Sequence, residues 1–461
     1  MDSGETLQSA VPQVRLWWHP GAVRIEGGSM LVGDAVIATA TPDVLARFTA
    51  ALEDGATEDD LIDAFLDDPP AVAASVLHLL DVAERAGGIA YGVDLEHGAL
   101  RIEPERAPLE ALSGRSDAPG IVHVLPTSWL EPVPGGWALH DPRSAYSARI
   151  TGGAATLLGT LEGATPSSMS RGDRAALTLL FRARLVGGDP VAPSYWDAHD
   201  LRFHWRSRKG RHRRVIGATF PRRGTLPVRE VVDVPDSTAQ VIGPFTGPFI
   251  RPGPDAAAES AYAALLDRRR STRRAAQPLT EEGLGAFLNA HGITTTIPMD
   301  EAAGVEYPQS RRLYPGGGAT YEIDLNVTVR EPIGAVSPGV WWWNPEDLRL
   351  HLRSADRDLV ERLFDDARVS TGGEGEPAAL ITYTVRIGRN SWKYDGMAYR
   401  LALMDVGVLY HHAYLVAADL GLGICGLGNG DGLLFDRGLG LDIEREASIA
   451  ELILTGTVAD G

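Results

Sequence analysis

Only two of the 43 basic side chains in this 461-residue sequence are lysines, Lys209 and Lys393; the other 41 are arginines. The bias fits a GC-rich genome, and it marks a surviving lysine as a position where proton chemistry is worth testing. A desolvated amine can lose its proton near neutral pH, whereas a guanidinium cannot. Lys393 stands beside Tyr394 in the run Trp392-Lys393-Tyr394-Asp395-Gly396. Such a pair offers a general base and a phenol able to orient a substrate or relay a proton. A lysine that caps a turn is the alternative for the same residues.

Three further runs could hold an anion or a flat ring. In Arg269-Arg270-Ser271-Thr272-Arg273-Arg274 an extended chain points Arg269, Ser271 and Arg273 the same way, and two guanidinium forks beside a hydroxyl suit a phosphate monoester. A solvated helix end would carry the same charge run. Pro315-Gly316-Gly317-Gly318-Ala319 leaves backbone N–H groups uncovered, so that a ring or an anion can approach, unless the segment is only a flexible turn. Gly421-Leu422-Gly423-Ile424-Cys425-Gly426 has the spacing G-x-G-x-x-G, but a dinucleotide site needs a strand before it and a helix after it. Here an apolar helical run comes first. The expectation is instead a backbone-rich loop in which Gly426, Leu427 and Gly428 reach a cofactor. The histidines, His411-His412 among them, show no metal-ligand spacing, so core or interface histidines are expected and no metal site.

The second half of the chain must position these residues. An apolar helical stripe over 255–268 leads into the arginine run, and Thr280 caps a helix that opens with Glu281-Glu282. Just after the glycines, Tyr321, Ile323, Leu325, Val327 and Val329 alternate with Glu322, Asp324, Asn326, Thr328 and Arg330, which predicts a half-buried strand. Strands are also expected over 380–387 and 452–458. Residues 397–420 form a long helix, apolar on almost every face and closed by Gly421, suited to a domain centre or a subunit interface.

In the first half, residues 43–93 give helix, short helix, longer helix and strand, a winged-helix-like order. A weaker echo over 155–188 shares a Gly-Ala-Thr after its first helix, at 163–165 as at 55–57. Residues 51–100 hold twelve acidic side chains against one arginine, so phosphate would be repelled; peptide docking or a solvated acidic face remain. Eight arginines and Lys209 over 201–223 reverse the sign, as a solvated strand edge or linker or as a complement to an acidic partner. A Pro-rich stretch over 227–254 reads as a connector, with a new domain starting near Asp255.

Composition narrows the partners. With 61 acidic against 43 basic side chains the formal net charge is −18. General attraction to nucleic acid or anionic lipid is therefore not expected. One cysteine, Cys425, makes neither an intramolecular disulfide nor a cysteine zinc cage, which fits a reducing cytoplasm. The polar start MDSGETLQSA lacks an export signal, and no stretch of roughly 18 uncharged apolar residues is present. A soluble, cytoplasmic protein is expected.

Together the chemistry-bearing runs resemble the SagB-type, FMN-dependent dehydrogenases of ribosomal peptide maturation, a branch of the nitroreductase superfamily. The likeness covers about residues 195–461 and begins with His-Asp-Leu-Arg-Phe-His-Trp-Arg-Ser-Arg at 199–208. By this resemblance Arg269, Ser271 and Arg273, with Arg270 among them, hold the FMN phosphate. Pro315, Gly316, Gly317 and Gly318 correspond to the flavin loop Pro-Ser-x-Gly-Ala, with Gly316 in place of serine. Lys393 and Tyr394 match the catalytic Lys-Tyr pair, and Gly426, Leu427 and Gly428 match the loop before the C-terminal segment. His411 would stand near the flavin where the family has glutamine.

The resemblance implies an α+β chain with a C-terminal nitroreductase-like FMN domain at 255–461. Ahead of it come tandem winged-helix-like domains at 1–98 and 99–190 and a connector at 191–254. It implies oxidation of thiazoline or oxazoline rings in a modified precursor peptide to the azoles, FMN as cofactor, a homodimer, and a cyclodehydratase of the same pathway as partner. An NAD(P)H-fed nitroreductase or flavin reductase, and a non-catalytic scaffold that binds a leader peptide, are the competing expectations.

Overall fold

The computed structural model describes residues 14–19, 22–108, 111–112, 121–165, 167, 169–188, 194–212, 260–298, 309–375, 377–394 and 396–458. The chain divides into two compact units, Met1–Arg213 and Arg214–Gly461. The Pro-rich stretch over 227–254 and the basic residues beyond 212 lie outside the described residues, as do 255–259 of the stripe before the arginine run.

In the first unit, helices Pro42–Glu53, Glu58–Asp63 and Pro70–Arg85 precede the hairpin of Ile89–Leu95 and Gly98–Pro104. Thr41 and Thr57 cap the first two helices with their hydroxyls, which fixes where each begins. The hairpin belongs to an antiparallel sheet in the spatial order Arg15–Trp18, Ile89–Leu95, Gly98–Pro104, Tyr146–Gly152, Gly136–His140, Trp129–Val133. The regions expected as 1–98 and 99–190 thus share one sheet, and one apolar core runs from Leu16 to Val186. The first helix of the echo over 155–188 is the 3-10 helix Gly153–Thr160, followed by helix Arg171–Arg182.

The basic run is not a strand edge or free linker at its start. It forms helix Ala198–Ser207, whose Leu201, His204 and Trp205 are buried in this unit. Trp205 packs edge-on to Trp129 at 5.3 Å, and Arg202 lies over Trp129 at 5.0 Å, so Arg202 leans on an aromatic face rather than on water alone.

The second unit is built on an antiparallel sheet in the order Arg349–Ser354, Gly339–Asn344, Ile323–Val329, Ala379–Val385, Ala447–Thr457, Leu422–Leu427. Strand Ile323–Val329 is buried at all seven positions, not on one face only as the alternation predicts. Its polar face is covered and mostly paired internally, with Thr328 Oγ1 left without a hydrogen bond among the described residues. Arg353 donates to Asn326 and to Glu446, Asn326 donates to Thr384, and Arg386 pairs with Asp324. Alternation tells which residues share a face; whether that face is wet is decided by what packs on it.

Helix Ala398–Leu420 is long and apolar enough to cross a membrane by length and composition. In the fold it packs on strands Leu422–Leu427, Ala447–Thr457 and Ile323–Val329, and Tyr410 donates to the carbonyl of Glu451 at 2.7 Å. Arg400, Leu403, Met404, Gly407 and His411 form an exposed stripe along its other side. Gly421 ends the helix with φ +66, a left-handed cap that glycine adopts without strain.

Candidate functional site

The glycine run and the Lys-Tyr pair, 75 positions apart, meet. Gly318 has φ +59 inside the 3-10 turn Gly317–Ala319, and a Cβ built there would meet the Tyr394 hydroxyl at 2.1 Å and Lys393 Nζ at 3.0 Å. Glycine is required twice over, by the backbone angle and by the space. Lys393 Nζ lies 5.2 Å from the centre of the Tyr394 ring. The short helix Ile387–Ser391 delivers the pair, with Lys393 and Tyr394 N–H groups bonded to the Asn390 carbonyl. The expected desolvated amine is not found within the single chain: Lys393 is exposed, while Tyr394 is half-buried.

The turn is fixed from below by groups that sequence reasoning missed. Gly317 N–H donates to Asp405 Oδ2 at 2.8 Å. Thr320 Oγ1 lies 2.6 Å from Asn390 Oδ1, 2.8 Å from the Gly317 carbonyl and 3.1 Å from Glu322 Oε2. Burial, reinforced by the Asp405 carboxyl, pushes Glu322 up to about 7. Burial raises Asp405 as well, opposed by the Gly317 N–H. Two neighbouring buried carboxyls do not both ionise readily, so Glu322 keeps the proton and Asp405 the charge that the Gly317 amide solvates. The available signal was a carboxylate in the middle of an apolar helix, a residue that needs a partner wherever it sits.

The arginine run lies elsewhere. It is extended, and Thr272 N–H bonds the Ile424 carbonyl on the edge strand Leu422–Leu427. Arg269 lies over the Tyr414 ring at 5.8 Å and Ser271 Oγ is 3.0 Å from the Tyr414 hydroxyl, which also accepts from Gly426 N–H at 2.8 Å. Tyr414, unmarked by any motif, therefore ties the run to Gly426. Arg270 folds back onto the Asp267 and Arg269 carbonyls, and it lines with Thr272, Arg274 and Tyr414 an open groove of about 890 Å³. Arg273 is exposed. Gly426 and Leu427 are not in a loop; they pair with Leu452 and Glu451 as the end of the edge strand, and Gly428 follows it exposed. A strand of this kind still offers backbone N–H groups outward because it is an edge.

Asp405 and Tyr414 are nine residues apart on one helix, roughly 13 Å along the axis and half a turn round it. The glycine turn and the arginine run therefore sit on opposite faces of that helix, and one chain does not gather them about a single ring. His411 is exposed on the stripe between them and touches neither group. His412 turns inward, its Nε2 2.9 Å from the Ala290 carbonyl, and stands edge-on to His291 at 4.9 Å. Burial drives His291 down to about 3, so it is a neutral core histidine. Asp197, His199 and Asp200 bring one ligand atom each within 4.8 Å of one another on the first unit.

Each half suits part of a flavin mononucleotide. Arginine, serine, tyrosine and backbone N–H groups at the edge strand match a phosphate tail, and a turn stripped of side chains suits a flat ring. Residues 266–456 match the model of the nitroreductase family, and the second unit carries a nitroreductase-family domain. Among known proteins the chain is similar to MJ1384 of Methanocaldococcus jannaschii, a nitroreductase by name, at 29% identity over 36% of this chain and 76% of that protein. It is also similar to the microcin B17-processing protein McbC of Escherichia coli, 30% identical over 24% of this chain and 42% of McbC. The trifolitoxin-processing protein TfxB of Rhizobium leguminosarum bv. trifolii is 26% identical over 24% of this chain and 31% of TfxB. The matches thus span less than half of each peptide-processing relative.

Proposed function

We propose that the protein is an FMN-dependent dehydrogenase of ribosomal peptide maturation, acting in the cytoplasm as a homodimer beside a cyclodehydratase. Its substrate is a precursor peptide whose thiazoline or oxazoline rings it oxidises to thiazoles or oxazoles. The observation that carries the proposal is the closure of Lys393 and Tyr394 over Gly318, which joins a base and a phenol to the turn that would seat the ring. Two peptide-processing relatives support the substrate class.

Arg269, Ser271 and Tyr414, whose hydroxyl is held by the Gly426 N–H, would hold the phosphate, and Gly316, Gly317 and Gly318 would face the ring. Bound FMN would supply the hydride acceptor. Lys393 takes the proton from the azoline carbon next to the carbonyl, and the neighbouring carbon gives up its hydride, so the ring loses two hydrogens and gains a double bond. Tyr394 orients the amine. Lys393 must be neutral for this, and because it is exposed in the single chain, the desolvation has to come from what covers the turn. A partner copy meets both needs at once: it covers the exposed stripe of the long helix and brings the opposite-faced seats together. Only 28% of the most apolar window of that helix is buried within the chain, which supports the dimer.

The test is a visible spectrum of the purified protein with a mass measurement on an azoline peptide. Yellow protein and a loss of two mass units per ring are expected; colourless, folded protein would overturn the proposal. The similarity to MJ1384 favours a second reading, an NAD(P)H-fed nitroreductase. Rapid NAD(P)H oxidation without any peptide oxidation would establish that one instead.

A further inference from the structure

A separate cavity of about 430 Å³ opens behind the glycine turn, and neither seat described above uses it. Ala319 and Thr320, which follow Gly318 directly, form one wall. Three guanidinium groups, from Arg312, Arg386 and Arg389, are part of the remaining lining, with Asp324, Trp342 and neutral polar residues such as Gln309 and Asn344. Arg386 pairs with the buried Asp324. Among the described residues neither Arg312 nor Arg389 has a carboxylate oxygen within 4.0 Å, although Asp324 acts on Arg389 from further away. Arg312 lies over the Tyr321 ring at 4.4 Å and donates to the Tyr314 hydroxyl at 2.8 Å, and Arg389 donates to the Tyr321 carbonyl at 3.2 Å.

Two donors on the lining, Arg312 Nε and Trp342 Nε1, are buried with no hydrogen-bond acceptor among the described residues. Buried donors are normally satisfied, and one left open in a polar cavity is a place for an acceptor from outside the chain. The charge balance narrows the acceptor. Among the described residues of the lining, three arginines stand against Asp324 and Glu346, which leaves one positive charge. A carboxylate neutralises it, whereas a phosphate dianion would overshoot.

We propose that this cavity is a carboxylate subsite for the peptide, holding an acidic side chain or a C-terminal carboxylate beside the ring to be oxidised. The proposal rests on the peptide-dehydrogenase reading. It adds a selection rule: peptides carrying a carboxylate near the azoline are preferred, through KM rather than kcat, because the contact is made before and during reaction alike.

The test compares azoline peptides that differ only as Glu against Gln next to the ring, and as C-terminal acid against amide. At least one acid form should have kcat/KM about tenfold or more above its neutral counterpart, the scale of a charge-assisted pair. R312Q and R389Q should each bring the acid peptides down towards the neutral ones and leave the neutral peptides unchanged, while R362Q, exposed on helix Arg357–Ser370 and outside the lining, keeps the preference. Calorimetry with thiazole-bearing acid and amide peptides reads the subsite without turnover. Equal treatment of acid and neutral peptides by the wild type, a preference that survives R312Q and R389Q, or inorganic phosphate displacing the acid peptides at lower concentration than acetate does, would each overturn the subsite. Selective carboxylate binding with no oxidation of any azoline would instead sink the dehydrogenase reading and leave the subsite standing.

Discussion

Lys393 and Gly318 form a unit, since the amine and the phenol occupy the volume that any side chain at 318 would need. Replacing Lys393 by alanine removes the proposed base but none of the residues proposed to hold the phosphate. The expected result is a protein as yellow as the wild type with azoline turnover lowered roughly 10²- to 10⁴-fold, the usual worth of a positioned base. Unchanged rates in a mass-spectrometric time course would remove Lys393 from the chemistry. A second test concerns the carboxyl pair. Because burial lifts Glu322 to about 7 in the fold, well above its range in an unfolded chain, the folded protein binds more protons than the unfolded one between about pH 4.5 and 7. The stability it contributes is therefore full below that window and declines as pH rises through it. In Glu322→Gln that decline should be missing, so the variant gains on the wild type in thermal midpoint between pH 5 and pH 8. Parallel midpoint curves would show that the proton is held elsewhere.

At the level of elements, the turn 315–319 works because its neighbours fix both ends: Asp405 from the long helix and Asn390 from the short one. Gly318→Val places a β-branched residue at positive φ, a strain of roughly 1–2 kcal/mol, and drives it into Tyr394. Urea denaturation should show the loss of stability, and peptide oxidation should fall with it; a valine variant as stable and active as wild type would contradict the turn's role. Here the sequence was informative where backbone chemistry is local. Three consecutive glycines, a rare lysine beside a tyrosine and the αL cap at Gly421 all betray themselves within a few residues. What could not be read were contacts across the chain. Tyr414 meets Ser271 over 143 positions with no motif of its own, and Asp405 meets Gly317 over 88. The strand Ile323–Val329 shows the same limit, because its polar residues look solvent-facing until Arg353 and Glu446 are seen to cover them.

For the whole molecule, the decisive geometry is the half-turn between Asp405 and Tyr414. If one flavin needs both seats, it must take the arginine run from one copy and the glycine turn with Lys393 from the other, because within one copy the long helix stands between them. The exposed Leu403 and Met404, at 39% and 54% exposure, lie on the stripe that such a pairing would cover. This makes a prediction that stability or spectra alone cannot mimic. A chain carrying Lys393→Ala and a chain carrying Arg269→Ala with Ser271→Ala are each nearly inactive. Unfolded together and refolded as a mixture, half of the dimers pair unlike chains, and each of those contains one site with an intact arginine run and an intact lysine. Activity should return to about a quarter of the wild-type level in the mixture, as expected for a two-fold symmetric pair with shared sites. Sites complete within single chains give no recovery at all, since every copy in the mixture lacks one half. A Met404→Glu change in both chains, which puts a charge on the stripe, should abolish the recovery and shift the light-scattering mass to that of one chain. Recovery that persists in a monomeric Met404→Glu mixture would show that the two seats do not serve one ring.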